Sequence, residues 1–199
     1  MEATCRGDTT LLVGLDADDP ARDEYSGWVL RLVRDDLRFV VAWLNELTVP
    51  RAGEYRFIGA LGDDFVPRTP GWDVRVMEAL SKTPFAYGNE MFPGRAPGES
   101  CCHIFCRSQV VSALGYLGPP ALRHMFVDNI WVQWGQAAGI TYLDDVIIEH
   151  LHPSAGKAQT DETYQASAAL MGPDEQAWRA YCGDPEGLAA DIATLGALA

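Results

Sequence analysis

An α/β fold with a helical C-terminal tail is predicted by three observations. Short apolar runs of strand length stop abruptly at carboxylates or imidazoles. Between them lie stretches whose apolar residues recur at helical spacing. From Asp161 onward the chain reads as helix alone. Alternation of this kind belongs to an α/β sheet rather than to a bundle or a sandwich.

Taken in order, residues 9–15 (Thr-Thr-Leu-Leu-Val-Gly-Leu) read as a buried strand that runs into Asp16-Ala17-Asp18-Asp19. The stretch 25–47 carries Leu30, Val33, Leu37, Val40, Val41, Leu44 and Leu47 at mixed helical spacing, interrupted near Asp35-Asp36. Pro50 and Gly53 close it. A second strand over 55–61 ends in Gly62-Asp63-Asp64. Residues 71–80 have a helical period through Val74, Val76, Met77 and Leu80, and 85–87 make a short strand. The Pro/Gly-rich stretch 93–98 is a surface loop. Residues 103–105 read as a strand leading into a helix over 108–114, then a loop over 115–120 and a helix over 128–138. A hairpin-like pair, 140–143 and 146–149, follows. The helical tail is expected to break at Gly172-Pro173 and at Gly183-Asp184-Pro185.

The composition excludes several classes. With 48% hydrophobic and 22% charged residues in 199, the chain can bury one full core. It has no apolar run near the ~18 residues of a membrane span, and residues 1–8 carry acids without an apolar signal core. A net charge of −13 opposes any role in coating DNA or RNA, since non-specific binding rests on cations neutralising phosphates. An acidic protein still binds a nucleotide diphosphate when a divalent cation mediates the contact. Five cysteines are an odd number, and Cys-Cys-His-x-x-Cys over 101–106 fits no zinc-ligand spacing. Adjacent strand residues point to opposite faces, so the cysteines are expected to be structural and reduced, in a cytoplasmic protein.

Three strand ends concentrate chemistry: Asp16 to Asp19, Asp63-Asp64, and Glu149-His150-Leu151-His152-Pro153. In an open α/β sheet the ligand sits outside the carboxyl ends of the strands. Carboxylates there supply the hard oxygens that Mg²⁺ or Mn²⁺ prefers, and the ion neutralises a diphosphate. His-x-His on an extended segment sets two imidazoles on one face, suited to a metal or a phosphate. Solvated acidic turns and solvated histidines are the plain alternatives. The chemistry points to an enzyme acting on a nucleotide sugar or nucleotide phosphate.

The ordered pieces Leu-Asp-Ala-Asp-Asp-Pro (15–20), Arg38 with Leu44-Asn45, Leu-Gly-Asp-Asp-Phe-Val-Pro-Arg-Thr-Pro-Gly-Trp-Asp (61–73), Tyr87-Gly88, Leu-Gly-Tyr (114–116), Asp128-Asn129 with Trp131, and Ile-Glu-His-Leu-His-Pro (148–153) carry a resemblance. The chain resembles GT-A type nucleotide-sugar glycosyltransferases of the family-two-like kind found in actinobacteria and their phages. The match spans residues 10–165 and is specific to the family, not to a substrate. It implies a Rossmann-type mixed sheet flanked by helices, with a catalytic domain over 1–165 and a helical tail over 166–199. Asp16 would contact the nucleoside with Asp18 beside it, and Arg38, Asn45 and Asp63 would belong to the nucleotide-sugar site. Asp64 would be the metal carboxylate, although Gly62 replaces the first acid of a strict Asp-x-Asp. His150, with His152 near it, would complete the metal site, and Asp128 would be the general base of an inverting member. Lys157 is expected to close over the phosphates, and Trp72 and Trp131 to stack on a sugar or acceptor. The cofactor would be Mn²⁺ or Mg²⁺, the donor a UDP-sugar, and the acceptor a hydroxyl compound. Family members begin with a strand and helix ahead of the segment matching 11–15, so with ten residues before it the first nucleotide-binding strand is expected to be missing. Two other readings stay open. One is a nucleotidyltransferase, for which no basic Gly-rich loop is visible; the other is a catalytically impaired nucleotide- or sugar-binding module. The sequence leaves the oligomeric state open between monomer and homodimer.

Overall fold

Side-chain alternation along two short strands decides the architecture. Phe85 and Tyr87 join one apolar cluster while Ala86, between them, joins another; Ile104 and Cys106 likewise oppose Phe105. Strands buried on both faces need a helical layer on each side. The computed structural model describes residues 4–19, 23, 29–34, 39–94, 96 and 101–198, and its centre is such a sandwich.

Five strands form the main sheet in the order β3-β6-β5-β7-β4. They are β3 (Phe57–Ala60), β4 (Phe65–Pro67), β5 (Phe85–Asn89), β6 (Ile104–Arg107) and β7 (Ile140–His150). Only β5 and β7 pair in parallel; β3–β6, β6–β5 and β7–β4 are antiparallel. The carboxyl ends of β3, β5 and β7 therefore share an edge with the amino ends of β4 and β6. On one face α3 (Ser108–Leu114), α4 (Val127–Ala138) and α7 (Leu188–Gly196) contribute Val110, Val111, Ile130, Trp134 and Leu195. On the other, α2 (Trp72–Leu80) contributes Trp72, Val76 and Leu80 against Phe105, Val146 and Ile148. The fold is thus mixed α/β, a mixed sheet flanked by helices with a C-terminal helix. Among the described residues no helix is long and apolar enough to cross a membrane.

The first strand, β1 (Leu11–Asp16), pairs in parallel with β2 (Val29–Arg34) as a separate two-stranded ladder. The 25–47 stretch, expected as interrupted helix, thus splits into β2 and α1 (Val40–Thr48). Its sequence, Val-Leu-Arg-Leu-Val-Arg over 29–34, does not alternate cleanly, so it did not read as a strand. The pair expected as a hairpin over 140–149 is instead one strand, β7. Its register against β5 jumps from Gly88↔Leu143 to Asn89↔Ile147, so the exposed Asp144 and Asp145 lie in a bulge rather than a turn. In the tail, α5 (Glu162–Ala168) and α6 (Met171–Gly183) separate ahead of Gly172-Pro173. Pro173 falls in the first turn of α6, where its missing N–H would have had no intrahelical acceptor.

Two buried carboxylates tie the periphery to this frame. Asp73, at the start of α2, accepts hydrogen bonds from the backbone N–H of Arg6 and Gly7 and from the Thr9 hydroxyl, docking the N-terminal segment. Asp191 of α7 accepts from the hydroxyls of Tyr116 and Tyr181.

Candidate functional site at the carboxyl edge of the sheet

Topology delivers the reactive side chains to one edge. Phe65 pairs with His150 across β4 and β7, and the Leu151 N–H donates to the Asp64 carbonyl at 2.8 Å. That register sets Asp64 beside His150, whose Nε2 lies 3.0 Å from Asp64 Oδ2. The Tyr164 hydroxyl, from α5, donates to the same oxygen at 2.9 Å. Burial pushes the Asp64 carboxyl up, but the hydrogen bond and charge of His150 and the Tyr164 hydroxyl outweigh it, holding the group below the usual range. Asp63 moves the opposite way, raised by desolvation and by the Asp64 charge, with Asp19 adding to it. Asp19 closes the turn after β1 and lies within electrostatic reach of Asp63. Asp16 ends β1 with its Oδ1 buried and without a hydrogen-bond partner among the described residues. Asp18 is exposed.

The β5 end adds Glu90. The His150 N–H donates to the Glu90 carbonyl at 3.0 Å, and Glu90 Oε1 accepts from the Cys102 N–H at 2.6 Å. The same oxygen lies 3.1 Å from His103 Nδ1. His103 Nε2 accepts from the Gly88 N–H at 2.8 Å, so the proton sits on Nδ1 and the ring is a neutral donor to Glu90. Burial raises the Glu90 carboxyl, yet these donors win and hold it below its ordinary value. Met91 follows at φ 50°, a strained conformation of the kind that gathers at functional sites.

Asp128 lies in the first turn of α4, beside Cys102. The helix is capped at Phe126, in the left-handed region, without a side-chain cap, so Asp128 is not its N-cap. Its Oδ1 accepts from the Asn129 N–H, and Cys102 Sγ lies 3.9 Å from its Oδ2. His124 feels both ends of the site: burial holds its imidazole below the usual value, against the charges of Asp174, Asp128 and Asp64. Asp174 in α6 accepts from the N–H groups of His124 and Met125 at 2.8 Å each and thereby fixes the approach to α4.

The remaining expected residues make the following contacts. His152 Nδ1 accepts from the Ser154 N–H, capping a 3₁₀ turn, while its ring meets His150 and Tyr164 edge-on at 5.0 Å each. Asn45 uses its whole amide to clamp the Leu117 and Gly118 backbone. Lys157 pairs with Glu149 at 3.0 Å and donates to the Met91 carbonyl. Trp72 and Trp131 are 4% and 2% exposed, Trp72 against Phe105 and Trp131 donating to the Leu117 carbonyl, so both rings pack in the core. Arg38 lies outside the described residues.

Sequence reasoning did not single out Glu90, His124 or Tyr164, and it weighed Cys102 and His103 only within a zinc spacing that it set aside. Glu90 carried a signal, an acid just past an apolar strand. Tyr164 carried none, because it reaches Asp64 from a helix 100 residues away. The chain matches no family model, no curated protein and no solved structure.

Proposed function

We propose that this chain transfers a sugar from a nucleotide-diphosphate donor, a UDP-sugar first among them, to a hydroxyl acceptor. One observation carries the reading: Asp64, held by His150 Nε2 at 3.0 Å and by the Tyr164 hydroxyl at 2.9 Å, stands at the edge where an α/β sheet binds its ligand. Asp16 Oδ1, buried and without a hydrogen-bond partner among the described residues, supports it, because a nucleoside offers an N–H or O–H to such an acceptor. The donor set also suits a hard cation. Asp64 is held ionised with Oδ2 occupied by His150 and Tyr164, which leaves Oδ1 for Mg²⁺ or Mn²⁺, with Asp63 alongside. Such an ion, when bound, offsets the negative charge that grows on the leaving diphosphate.

The chain's own residues do the rest. His150 and Tyr164 fix the Asp64 carboxylate, so it needs little reorganisation when donor arrives. Asp128, which accepts from the Asn129 N–H through Oδ1 and from the Cys102 thiol through Oδ2, would take the acceptor hydroxyl proton, whose own pKa is far too high for ionisation at neutral pH. Asp174, by pinning residues 124 and 125, positions Asp128. A panel of nucleotide sugars with Mn²⁺ or Mg²⁺, read as nucleoside diphosphate release, tests the reading. Release with one donor supports it. Heat stabilisation by nucleotides with no release from any donor replaces it with a binding module.

A further inference from the structure

We propose that Glu90, Cys102 and His150 form a binding site for a borderline-soft divalent cation, Zn²⁺ above all, separate from the Asp64 oxygen position. One donor atom from each of the three lies within 4.8 Å of the others. Tetrahedral zinc, with bonds of about 2.0–2.3 Å to nitrogen, oxygen and sulfur, holds its ligand atoms roughly 3.3–3.7 Å apart, so modest side-chain rotation closes the set.

The second observation is the state of His150. The residue is 6% exposed, and its Nδ1 is buried without a hydrogen-bond partner among the described residues, while Nε2 meets Asp64 Oδ2 at 3.0 Å. A metal-bound histidine gives its other ring N–H to a carboxylate in this way, which fixes the tautomer and aims the bare nitrogen at the ion. With the proton on Nε2, the Nδ1 lone pair is desolvated, and a cation satisfies it. Glu90 is equally prepared: its side chain is anchored by the Cys102 and His103 N–H groups, and its carbonyl by the His150 N–H. The thiol sets the choice of ion, since sulfur and imidazole favour zinc over magnesium. Binding converts the Cys102 thiol to a metal-bound thiolate and releases one proton, to Asp128 or to solvent. One thiolate, one carboxylate and a neutral imidazole balance the ion's two charges. Three protein ligands leave the fourth position open to water or substrate.

The inference is independent of sugar transfer, and its test reads no turnover. The metal-free protein is titrated with Co²⁺ alone and with Zn²⁺ alone. Expected are one tight equivalent, a thiolate-to-cobalt charge-transfer band in the near ultraviolet, its bleaching by Zn²⁺, and release of one proton. Cys102→Ser removes the band with the metal-free melting temperature kept, and Cys182→Ser retains it. Asp64→Asn keeps the band but weakens affinity by about 10–100-fold, as loss of a carboxylate behind a ligating histidine does. A cobalt spectrum without a thiolate band, or a band that survives intact in Cys102→Ser, overturns the site. If Cys102→Ser fails to fold, His150→Gln decides in its place, by the same loss of tight Co²⁺ binding or its persistence.

Discussion

Asp128 differs from asparagine by one ionisable oxygen, and that difference separates chemistry from structure. Because α4 is capped at Phe126 without a side chain, Asp128→Asn removes no cap and keeps the acceptor for the Asn129 N–H. The substitution should leave the melting temperature unchanged while lowering nucleoside diphosphate release by about 10²-fold or more, the scale of a lost general base. Near-wild-type release would send the search for a base elsewhere. Tyr164 is read the same way from the stability side. Tyr164→Phe deletes a hydrogen bond to an ionised carboxylate, so chemical denaturation should report a loss of about 1.5–3 kcal/mol. No loss would mean that water replaces the hydroxyl at no cost.

At the scale of elements, β5, β7 and His103 crowd together at Gly88. A Cβ there would sit 2.6 Å from the Val146 carbonyl oxygen, a backbone atom that cannot swing away. Gly88→Ala should cost about 1–3 kcal/mol, as overpacking does, and disturb the His103 hydrogen bond that sets the Glu90 carboxylate. A melting curve equal to wild type would contradict that packing. Asp73 ties the N-terminal segment to α2, and its donors hold its carboxyl below the ordinary range against the opposing effect of burial. A depressed folded-state pKa means stabilisation that is complete above about pH 4, the unfolded value, and lost as pH falls through the folded one. Wild type should therefore melt above Asp73→Asn at neutral pH, the two converging in acid; a gap that persists at low pH would assign it to packing instead. Several elements were legible from sequence for plain reasons. Helix α3 has a clear apolar face, and β1, β3 and β5 are apolar runs with acid or glycine stops. What was not legible depended on tertiary pairing. The three residues of β4 are strand only because β7 runs past them, and Asp144-Asp145 reads as a turn until the β5 register makes it a bulge.

For the whole molecule, −13 of net charge surrounds an edge already crowded with carboxylates. Duplex DNA at physiological salt should show no retardation by the purified chain, and tight salt-sensitive retardation would contradict the charge argument. The same crowding makes cations the natural partners of the edge. Asp64 and His150 were legible in sequence as strand ends, and the fold brings them into contact. Glu90 showed only as an acid past an apolar strand, and Cys102 not as a ligand: the ring nitrogens and carboxylates that set their roles meet only once β5, β6 and β7 are side by side. The central claim is that the acids gathered at this edge transfer sugar. It is tested most directly by nucleoside diphosphate release from a UDP-sugar with Mn²⁺, measured for wild type, Asp64→Ala and Asp128→Asn. The account predicts turnover by wild type, loss in both variants, and retained donor-dependent heat stabilisation in Asp128→Asn alone. Turnover that survives in Asp64→Ala, or none from wild type with any nucleotide sugar, would contradict it.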